Sequence, residues 1–281
     1  MKNILILGSD GQIGAYLKEY LLKKNYKVFG FDINTSKKED LRLYNNNLLI
    51  RLIKKSDFVF FLAFDVGGSR YLNKYQNTFN FISNNIRIME NTFSLLKKFK
   101  KKFIFSSSQM SNMDFSNYGI LKNIGEKYTT LSNGIIVKFW NVYGIENNLS
   151  KSHVITDFII KAKTTGNIKM LTNGIEKRDF LYVDDCCSGL YLLMKKYNQI
   201  LKRKKSIDLT TGKYISILKI AEIIKKNFSL KKKQIKIYPS KASDKIQFKK
   251  KNKPDKFILK YWKPNFSIER GIKEIVNHYL E

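Results

Sequence analysis

Short apolar runs of strand length recur along the chain, separated by stretches with helical periodicity. The runs lie at 4–7, 28–31, 58–64, 102–108 and 134–144. Residues 79–99 show the apolar spacing of a long amphipathic helix, and 215–228 show that of a core helix. Strands that alternate with helices predict an α/β fold, a doubly wound parallel sheet with ligands at the carboxyl ends of its strands.

Three glycines follow the first apolar run with a spacing that suits a pyrophosphate. Gly8 allows a tight turn, Gly11 lets the backbone approach the phosphates, and Gly14 permits close packing of the following helix. The second run ends in Asp32, which can accept hydrogen bonds from a ribose 2′-hydroxyl and would repel a 2′-phosphate. This order of strand, loop, helix and acid predicts a Rossmann domain that binds NAD rather than NADP. The other loop residues expected at the cofactor are Asp10, Gln12 and Ile13.

Tyr118 and Lys122 suit proton transfer. They are four residues apart in a predicted helix, so both lie on one face. A lysine ammonium stabilises a nearby phenolate and lowers the pKa of the phenol from ~10, so the phenol can act as a base near neutral pH. The pair follows a serine run at 106–108. Such a set could take a proton from an alcohol.

Composition narrows the class of protein. The 281 residues, 43% hydrophobic and 14% aromatic, predict a packed globule. No apolar run approaches the ~20 residues of a membrane helix, and the run at 4–7 leads into the glycine loop rather than resembling a signal peptide. Cys186 and Cys187 are adjacent, lack a metal-ligand spacing and are interpreted as reduced core residues. We therefore expect a cytoplasmic protein without a metal site.

The net charge is +30, from 53 Lys and Arg against 23 Asp and Glu. Such a charge invites a nucleic-acid interpretation. However, the lysines are scattered, and no zinc-finger, RRM or KH signature accompanies them. A lysine-rich proteome bias is the preferred interpretation, so we expect no specific nucleic-acid partner.

Together these motifs resemble the extended short-chain dehydrogenase/reductase family, the NAD-dependent nucleotide-sugar epimerases and dehydratases. The resemblance covers almost the whole chain. Its motifs are the glycine loop at 8–14, Asp32, the serines at 106–108, "YGILK" at 118–122, "NVYG" at 141–144 and "RDFLYVDD" at 178–185. It implies an NAD-binding domain at 1–144 and a smaller C-terminal substrate-binding lobe at 145–281. The chain is expected to return to the sheet around 178–213.

The resemblance also implies roles for single residues. Tyr118 would take the proton from the C4 hydroxyl of the sugar while hydride passes from C4 to NAD. Lys122 would also hold the nicotinamide ribose, and Ser108 would hydrogen-bond the substrate oxygen. Further cofactor-binding positions implied by the family are Asp40 and Leu41 against the adenine, Ala63 and Asn85.

Gln109 and Met110 occupy the positions that determine, in this family, which reaction comes after oxidation. Dehydratases carry an Asp–Glu pair there, and the 3,5-epimerase type carries a cysteine at the position of Met110. A thioether cannot move a proton, and an amide is a poor base. We therefore expect neither elimination nor carbon-acid epimerisation. Both residues are still expected to contact the substrate.

The loop "AFDVGGSRYL" at 63–72 departs from the family pattern, and its paired glycines resemble those of the GDP-mannose 3,5-epimerases. In the resemblance this loop faces the nicotinamide and the sugar. Gly67, Gly68 and Ser69 are therefore either substrate-site residues or part of a plain flexible loop.

Two later residues are expected to bind the phosphates of a sugar nucleotide. Asn141 ends a predicted strand and is placed to donate to them. Arg178 is either a phosphate clamp, because guanidinium forks match phosphate oxygens, or the partner of Asp179 in a surface salt bridge. His153 precedes an amphipathic helical pattern and is either near the substrate or structural; a lone histidine is more often structural, so it is left out of the catalytic set.

The chain looks most like a subgroup that acts on GDP-heptoses in the synthesis of surface polysaccharides, capsule or lipopolysaccharide. There a GDP-manno-heptose 4-dehydrogenase regenerates its NAD with 2-oxoglutarate. The resemblance thus implies oxidation at C4 of a GDP-heptose or GDP-hexose, with 2-oxoglutarate as a candidate cosubstrate. A 4-epimerase or 4-keto reductase is the near alternative, and a basic NAD-sensing or nucleic-acid-binding protein is the distant one. A homodimer through the helices at 79–99 and 116–131 is expected by resemblance.

Overall fold

The structure, a computed structural model, describes residues 2–146, 148–243 and 253–281. Its main sheet has six strands in the order β2-β1-β3-β4-β5-β9, and every neighbouring pair is parallel. The strands are β1 (Asn3–Leu7), β2 (Lys27–Phe31), β3 (Phe58–Phe61), β4 (Phe103–Ser108), β5 (Ile135–Phe139) and β9 (Ser206–Leu209). The strand order reverses between β1 and β3, so a crevice opens there at the carboxyl ends of the strands.

Helices cover both faces of this sheet, because its strands are apolar on both sides. Ile4 and Ile6 face one layer, whereas Leu5 and Leu7 face the other. The first layer contains α1 (Gln12–Leu22), α7 (Val183–Lys195) and α8 (Tyr197–Arg203); the second contains α2 (Asn47–Lys55), α4 (Phe79–Lys98) and α5 (Asn117–Leu131). The short helix α3 (Ser69–Tyr75) follows β3. The predicted doubly wound Rossmann-type fold is confirmed.

The predicted single strand at 134–144 was wrong in one respect, because the chain changes sheets at Trp140. After β5, the strand β6 (Asn141–Tyr143) joins a second sheet of order β10-β8-β6. In that sheet β8 (Lys177–Tyr182) runs parallel to β6 and antiparallel to β10 (Tyr214–Ser216). The Trp140 indole Nε1 donates to Asp208 Oδ1 at 3.1 Å, which fixes the residue between the sheets.

A smaller lobe surrounds the second sheet. Its helices α6 (Val154–Thr165), α9 (Ile217–Leu230) and α10 (Ile268–Leu280) share one apolar core with β8. A two-stranded sheet of β7 (Asn167–Lys169) and β11 (Lys236–Tyr238) lies at its edge. Single 3₁₀ turns occur at Lys37–Glu39, Gln109–Asn112, Leu149–Lys151 and Phe257–Lys260.

The chain passes more than once between this lobe and the main sheet. After β8, the helices α7 and α8 and the strand β9 pack with the main core, and Ile258 and Trp262 join them later. The division of the chain into 1–144 and 145–281 stays a prediction. In the described part of the chain, no helix is long and apolar enough to cross a membrane.

Candidate active site

A cleft of about 1340 Å³ opens at the carboxyl ends of the main strands and extends to the segment that follows β6. Most of the predicted site residues line it. They are Gly8, Asp10, Gly11, Gln12, Ile13, Gly14, Asp32, Asp40, Leu41, Ala63, Gly67, Ser108, Tyr118, Lys122 and Asn141. The carboxyl ends of parallel strands meet at one edge of a sheet, which explains why residues so distant in sequence come together.

The glycine loop forms a tight turn between β1 and α1. Gly8 has φ +86°, a conformation that favours glycine, and its N–H donates to Phe31 O at 2.9 Å. A Cβ at Gly14 would lie 1.9 Å from the Gly8 carbonyl oxygen, so only glycine lets α1 approach the turn. Gly11 caps α1 and has no side chain with which to occupy the first N–H groups of that helix. The loop therefore presents backbone donors to the cleft.

Asp32 ends β2 with its carboxylate fixed by backbone donors. Its oxygens accept from the N–H of Asp10 at 3.0 Å and from the N–H of Asn34 at 2.9 Å. The Thr35 hydroxyl donates to Asp10 at 2.6 Å, which holds the two acids at the same end of the cleft. Each oxygen of Asp32 keeps acceptor capacity for a hydroxyl of a ligand.

Asp40 and Leu41 form the next part of the same wall. The guanidinium of Arg42 holds both oxygens of Asp40, with its Nε at 2.9 and 3.1 Å and its Nη2 at 2.7 Å. Burial raises the pKa of Asp40, but the hydrogen bonds from Arg42 outweigh this and hold it below its usual range. Leu41 is buried and offers an apolar surface.

Asn85 is not among the described residues that line the cleft; it lies behind the cleft wall. It is fully buried, and its side chain accepts from the N–H of Asp65 at 2.8 Å and donates to the Asp65 and Phe81 carbonyls at 3.2 and 3.0 Å. These bonds fix the loop that follows Ala63, which does line the cleft. A direct cofactor contact by Asn85 stays a prediction.

Ser108, Tyr118 and Lys122 meet in the middle of the cleft. Ser108 is the last residue of β4, and α5 carries the other two on one face. Lys122 is 3% exposed, and its ammonium donates to the Ser106 carbonyl at 2.7 Å. It lies 5.8 Å from the centre of the Tyr118 ring and 3.7 Å from that of Phe64.

Burial shifts the pKa values of Tyr118 and Lys122 in opposite directions. Burial raises the pKa of Tyr118 to about 12, against the opposing effect of a hydrogen bond with the Ser108 hydroxyl. Burial lowers the pKa of Lys122 to about 7, and the charge of Glu126 opposes that decrease. The lowered phenol pKa predicted from the spacing of Tyr118 and Lys122 is therefore not found, because burial raises the pKa of Tyr118 more than the Ser108 hydroxyl lowers it. The phenolate and the ammonium each need the other here, because burial penalises either charge alone.

Gln109 and Met110 lie beyond the serine run in a 3₁₀ turn, and both are buried. Gln109 lines a separate cavity of about 210 Å³ together with Lys138 and Asp208. The Met110 N–H donates to the Ser108 hydroxyl oxygen at 3.1 Å, so Met110 helps to orient Ser108. Neither residue is among the described residues that line the main cleft. Their contact with substrate stays a prediction.

The paired glycines sit where two loops meet. The Gly68 N–H donates to Lys151 O at 3.0 Å, and a Cβ at Gly68 would lie 2.2 Å from Ser152 O. Gly67 lines the cleft, whereas Gly68 is the N-cap of α3 and Ser69 is its first residue. The contact with 151–152 ties the loop down, and a substrate role for Gly68 and Ser69 stays a prediction.

Asn141 and Arg178 differ in position. Asn141 lines the cleft from the start of β6, and its amide donates to Asp179 O at 2.9 Å. Arg178 lies on β8 and donates to the Lys177 carbonyl at 3.0 Å. The Asp179 carboxylate is fully buried and accepts from Thr211 N–H at 3.1 Å, so it caps the turn after β9. A phosphate contact by Arg178 stays a prediction.

The fold also places in the cleft a polar pair, His153 and Glu146, of which only His153 was considered from the sequence. Glu146 is 8% exposed; its carboxylate accepts from the His153 N–H at 2.9 Å and lies 2.6 Å from His153 Nδ1. Both residues line the cleft. Burial raises the pKa of Glu146, but its bonds with His153 outweigh this and hold it below the usual range. Glu146 follows "NVYG" and lies seven residues before His153; no other feature of the local sequence marks it.

Residues 4–207 match the NAD dependent epimerase/dehydratase family. The chain belongs to this family. Among curated relatives, the UDP-glucuronate 4-epimerase of Thermodesulfobacterium geofontis is 26% identical, over 97% of this chain and 94% of its own. Among solved structures, the epimerase Mth375 of Methanothermobacter thermautotrophicus has a TM-score of 0.80 at 18% identity, covering 99% of this chain and 92% of that one. WbmF of Bordetella bronchiseptica, solved with NAD⁺ and UDP, has a TM-score of 0.76 at 21% identity, covering 98% of this chain and 91% of its own.

The cofactor of this epimerase/dehydratase-family enzyme is NAD. The donors at the glycine loop fit that cofactor. Gln12 Nε2 is buried and has no hydrogen-bond partner among the described residues, although Gln12 lines the cleft beside the N-terminus of α1. A buried amide without a partner is costly, and a phosphate oxygen would satisfy it. The Asp32 carboxylate suits ribose hydroxyls at the other end of the same wall.

Proposed function

We propose that this enzyme uses NAD to oxidise C4 of a nucleotide-activated sugar. One observation carries the proposal. The cleft that contains the dinucleotide loop also contains Ser108, Tyr118 and Lys122, with the phenol and the ammonium on one face of α5. A hydroxyl, a phenol and a buried ammonium supply the hydrogen bond, the base and the counter-charge that removal of an alcohol proton needs.

In the proposed reaction, Tyr118 as phenolate accepts the proton of the C4 hydroxyl. When bound, NAD⁺ supplies the acceptor for the hydride that leaves the same carbon. Ser108 donates a hydrogen bond to the C4 oxygen and holds it within reach of the phenol. Lys122 stabilises the phenolate, because its ammonium is buried and lies near the Tyr118 ring.

Chemistry beyond C4 is not expected from Gln109 and Met110. Neither side chain is an acid or a base, and Gln109 faces the smaller cavity. Elimination or proton exchange at C3 or C5 would need a group that both residues lack. This supports a reaction confined to oxidation or reduction at C4.

The substrate we propose first is a GDP-heptose or GDP-hexose used for surface polysaccharides, oxidised with 2-oxoglutarate as the final acceptor. Asn141 in the cleft and Arg178 on the neighbouring strand support a diphosphate group between the lobes. The second candidate is 4-epimerisation, in which the keto sugar turns and is reduced on its other face. The UDP-glucuronate 4-epimerase among the relatives favours that candidate.

The decisive experiment incubates the purified enzyme with GDP- and UDP-sugars, with and without 2-oxoglutarate, and analyses the products by mass and stereochemistry. A loss of two hydrogens identifies oxidation, and unchanged mass with inverted C4 identifies epimerisation. A gain of two hydrogens from a 4-keto sugar identifies the reductase. Loss of water would contradict the argument from Gln109 and Met110.

Tyr118→Phe is the first test of mechanism. Removing the phenolic oxygen should lower kcat by about a hundredfold to ten-thousandfold, the usual contribution of a positioned acid or base. NAD binding, measured by calorimetry, should change little. Tyr128→Phe on the same helix is the matched control, because that ring stacks on Phe93 at 5.2 Å and lies away from the cleft. Equal activity in the two variants would remove Tyr118 from the mechanism.

A further inference from the structure

Glu126 lies one helical turn beyond Lys122 on α5 and is held at both oxygens. Its Oε1 accepts from the Ser107 hydroxyl at 2.5 Å, and its Oε2 lies 3.2 Å from Lys138 Nζ. The side chains of Glu126 and Lys138 are 13% and 14% exposed. This carboxylate is therefore fixed and largely shielded from water, unlike a carboxylate on an open helix face.

Among the described residues, the other groups recorded around the Lys122 nitrogen are aromatic rings and one backbone carbonyl, not a second carboxylate. The rings of Phe64 and Phe105 lie 3.7 and 5.1 Å from its nitrogen, and its ammonium donates to a backbone carbonyl, that of Ser106. The titratable groups packed around it are Tyr118 and Glu126 from α5, with Lys138 of β5 behind Glu126. Among the described residues Glu126 makes no ion pair with Lys122 within 4.0 Å, but it is the carboxylate one helical turn away, and its charge opposes the effect of burial on the pKa of Lys122.

We propose that Glu126 is a positioning residue that keeps Lys122 in its ammonium form, with Ser107 and Lys138 holding Glu126 in place. The proposal rests on the C4 redox function above and names a residue that acts through Lys122. Residues four apart on a helix are neighbours, and a fixed carboxylate there favours a buried cation. Water does not screen the pair effectively, because both side chains are largely buried.

The arrangement separates the two charges of the catalytic pair. Glu126 favours the ammonium of Lys122, whereas the causes that shift the pKa of Tyr118 are burial and the bond with Ser108. A carboxylate near Tyr118 itself would oppose the phenolate. Placed beyond Lys122, it supports the cation without that cost, because its distance from the phenol spans two helical turns.

Opposite changes of charge give a sharp test. Glu126→Gln keeps the shape and the bond from Ser107 but removes the negative charge, so the titration midpoint of Lys122 should fall by about one pH unit. Lys138→Met removes the competing cation, so the midpoint should rise or stay. The midpoint is measured by NMR of isotope-labelled lysine side chains, with Lys122→Met assigning the signal. Glu222→Gln, which removes half of the exposed 3.0 Å pair with Lys219, is the matched control.

A purely structural role would lower the midpoint in both variants or leave it unchanged in Glu126→Gln, and either result overturns the proposal. If Glu126→Gln does not fold, Glu126→Asp replaces it in the test. Asp keeps the negative charge, so the midpoint of Lys122 should stay near that of the wild type. A fall of about one pH unit would contradict a role for the charge. The titration needs no sugar. A wild-type enzyme that oxidises no sugar nucleotide would therefore overturn the proposed function without deciding the role of Glu126.

With substrate in hand, the pH profile gives a second measurement. The alkaline side of the kcat/KM profile should move to lower pH in Glu126→Gln, because Lys122 loses its charge earlier. At pH 7 the charged fraction of Lys122 would fall from about one half to about one tenth, so kcat/KM should fall about fivefold, approaching tenfold at higher pH. An unshifted profile with uniformly lower activity would indicate packing and contradict the proposal.

Discussion

At the scale of single residues, Gly11 and Gly14 should respond differently to the same methyl group. A Cβ at Gly11 would lie 3.4 Å from Gly8 O, in ordinary contact, and its φ of −69° suits any residue. We expect Gly11→Ala to fold normally and to lose affinity for NAD by about tenfold or more, because the methyl group stands where the pyrophosphate approaches. Calorimetric titration with NAD measures the loss.

Gly14→Ala is the companion variant. Its Cβ would lie 1.9 Å from the Gly8 carbonyl oxygen, so α1 must move and the melting temperature should fall together with the NAD affinity. Equal melting temperatures for the two variants would show that the clash is relieved by a small shift, and the assigned role of Gly14 would be wrong.

Glu146 makes a pH-dependent contribution to stability. Its pKa is held below the usual range in the folded protein, so its stabilising effect is complete above the ordinary value of about 4.3 and is lost as the pH falls through the lower folded value. Glu146→Gln should lower the free energy of unfolding by about 1–3 kcal/mol at neutral pH, since it weakens charged hydrogen bonds with His153. Urea unfolding at neutral and acidic pH should show this difference shrinking towards acid. A constant difference would mean that packing, not charge, holds the pair.

At the scale of elements, Asp179 joins β8 to the turn between β9 and β10. It is fully buried and accepts from the Thr211 hydroxyl at 2.6 Å and the Gly212 N–H at 2.8 Å. Asp179→Ala should cost about 3 kcal/mol of unfolding free energy, because it removes the acceptor of the buried Thr210 hydroxyl and of the partly buried donors of Thr211 and Gly212. Urea titration checks this. Glu222→Ala, on an exposed surface, should change the value by less than about 0.5 kcal/mol.

The elements show where local sequence suffices. The unit from β1 to β2 follows from its apolar runs and its glycines, because turn chemistry and burial pattern agree there. The stretch from 135 to 143 is one apolar run in sequence but two strands in different sheets. Its division depends on the bond from Trp140 to Asp208, a residue 68 positions later, so no local pattern could reveal it.

The candidate site shows the same limit. Gly8, Tyr118 and Lys122 are recognisable because their spacing carries the chemistry. Glu146 becomes notable only when the fold turns the chain back so that its carboxylate meets His153. The Ser107 contact of Glu126 also joins residues 19 apart on different elements, and nothing in their local sequence predicts it.

At the scale of the whole molecule, α4 and α5 present an apolar surface. Ile120, Ile124 and Leu131 are 40%, 38% and 73% exposed on α5, and Phe79 and Ile86 are 83% and 43% exposed on α4. Exposed apolar patches on adjacent helices suit an interface, so we expect a homodimer in solution. Light scattering after gel filtration should give twice the monomer mass.

Ile120→Glu with Ile124→Glu should convert that species to a monomer, because both charges would be buried in the interface. Leu230→Glu is the control, since Leu230 is 73% exposed at the end of α9 in the other lobe. A wild-type monomer would overturn the expected dimer, and a dimer that survives the double change would place its interface elsewhere.

The late return of the chain to the main sheet has a consequence for how such an enzyme can change. Leu190 and Ile207 are fully buried in the same core as Ile4 and Ile135. A fragment that stops at 144 would lack the last strand and most of the helical cover of one face. The two lobes should therefore unfold in a single thermal transition. Neither lobe is one continuous segment of the chain, so neither can be exchanged between relatives by replacing a single segment.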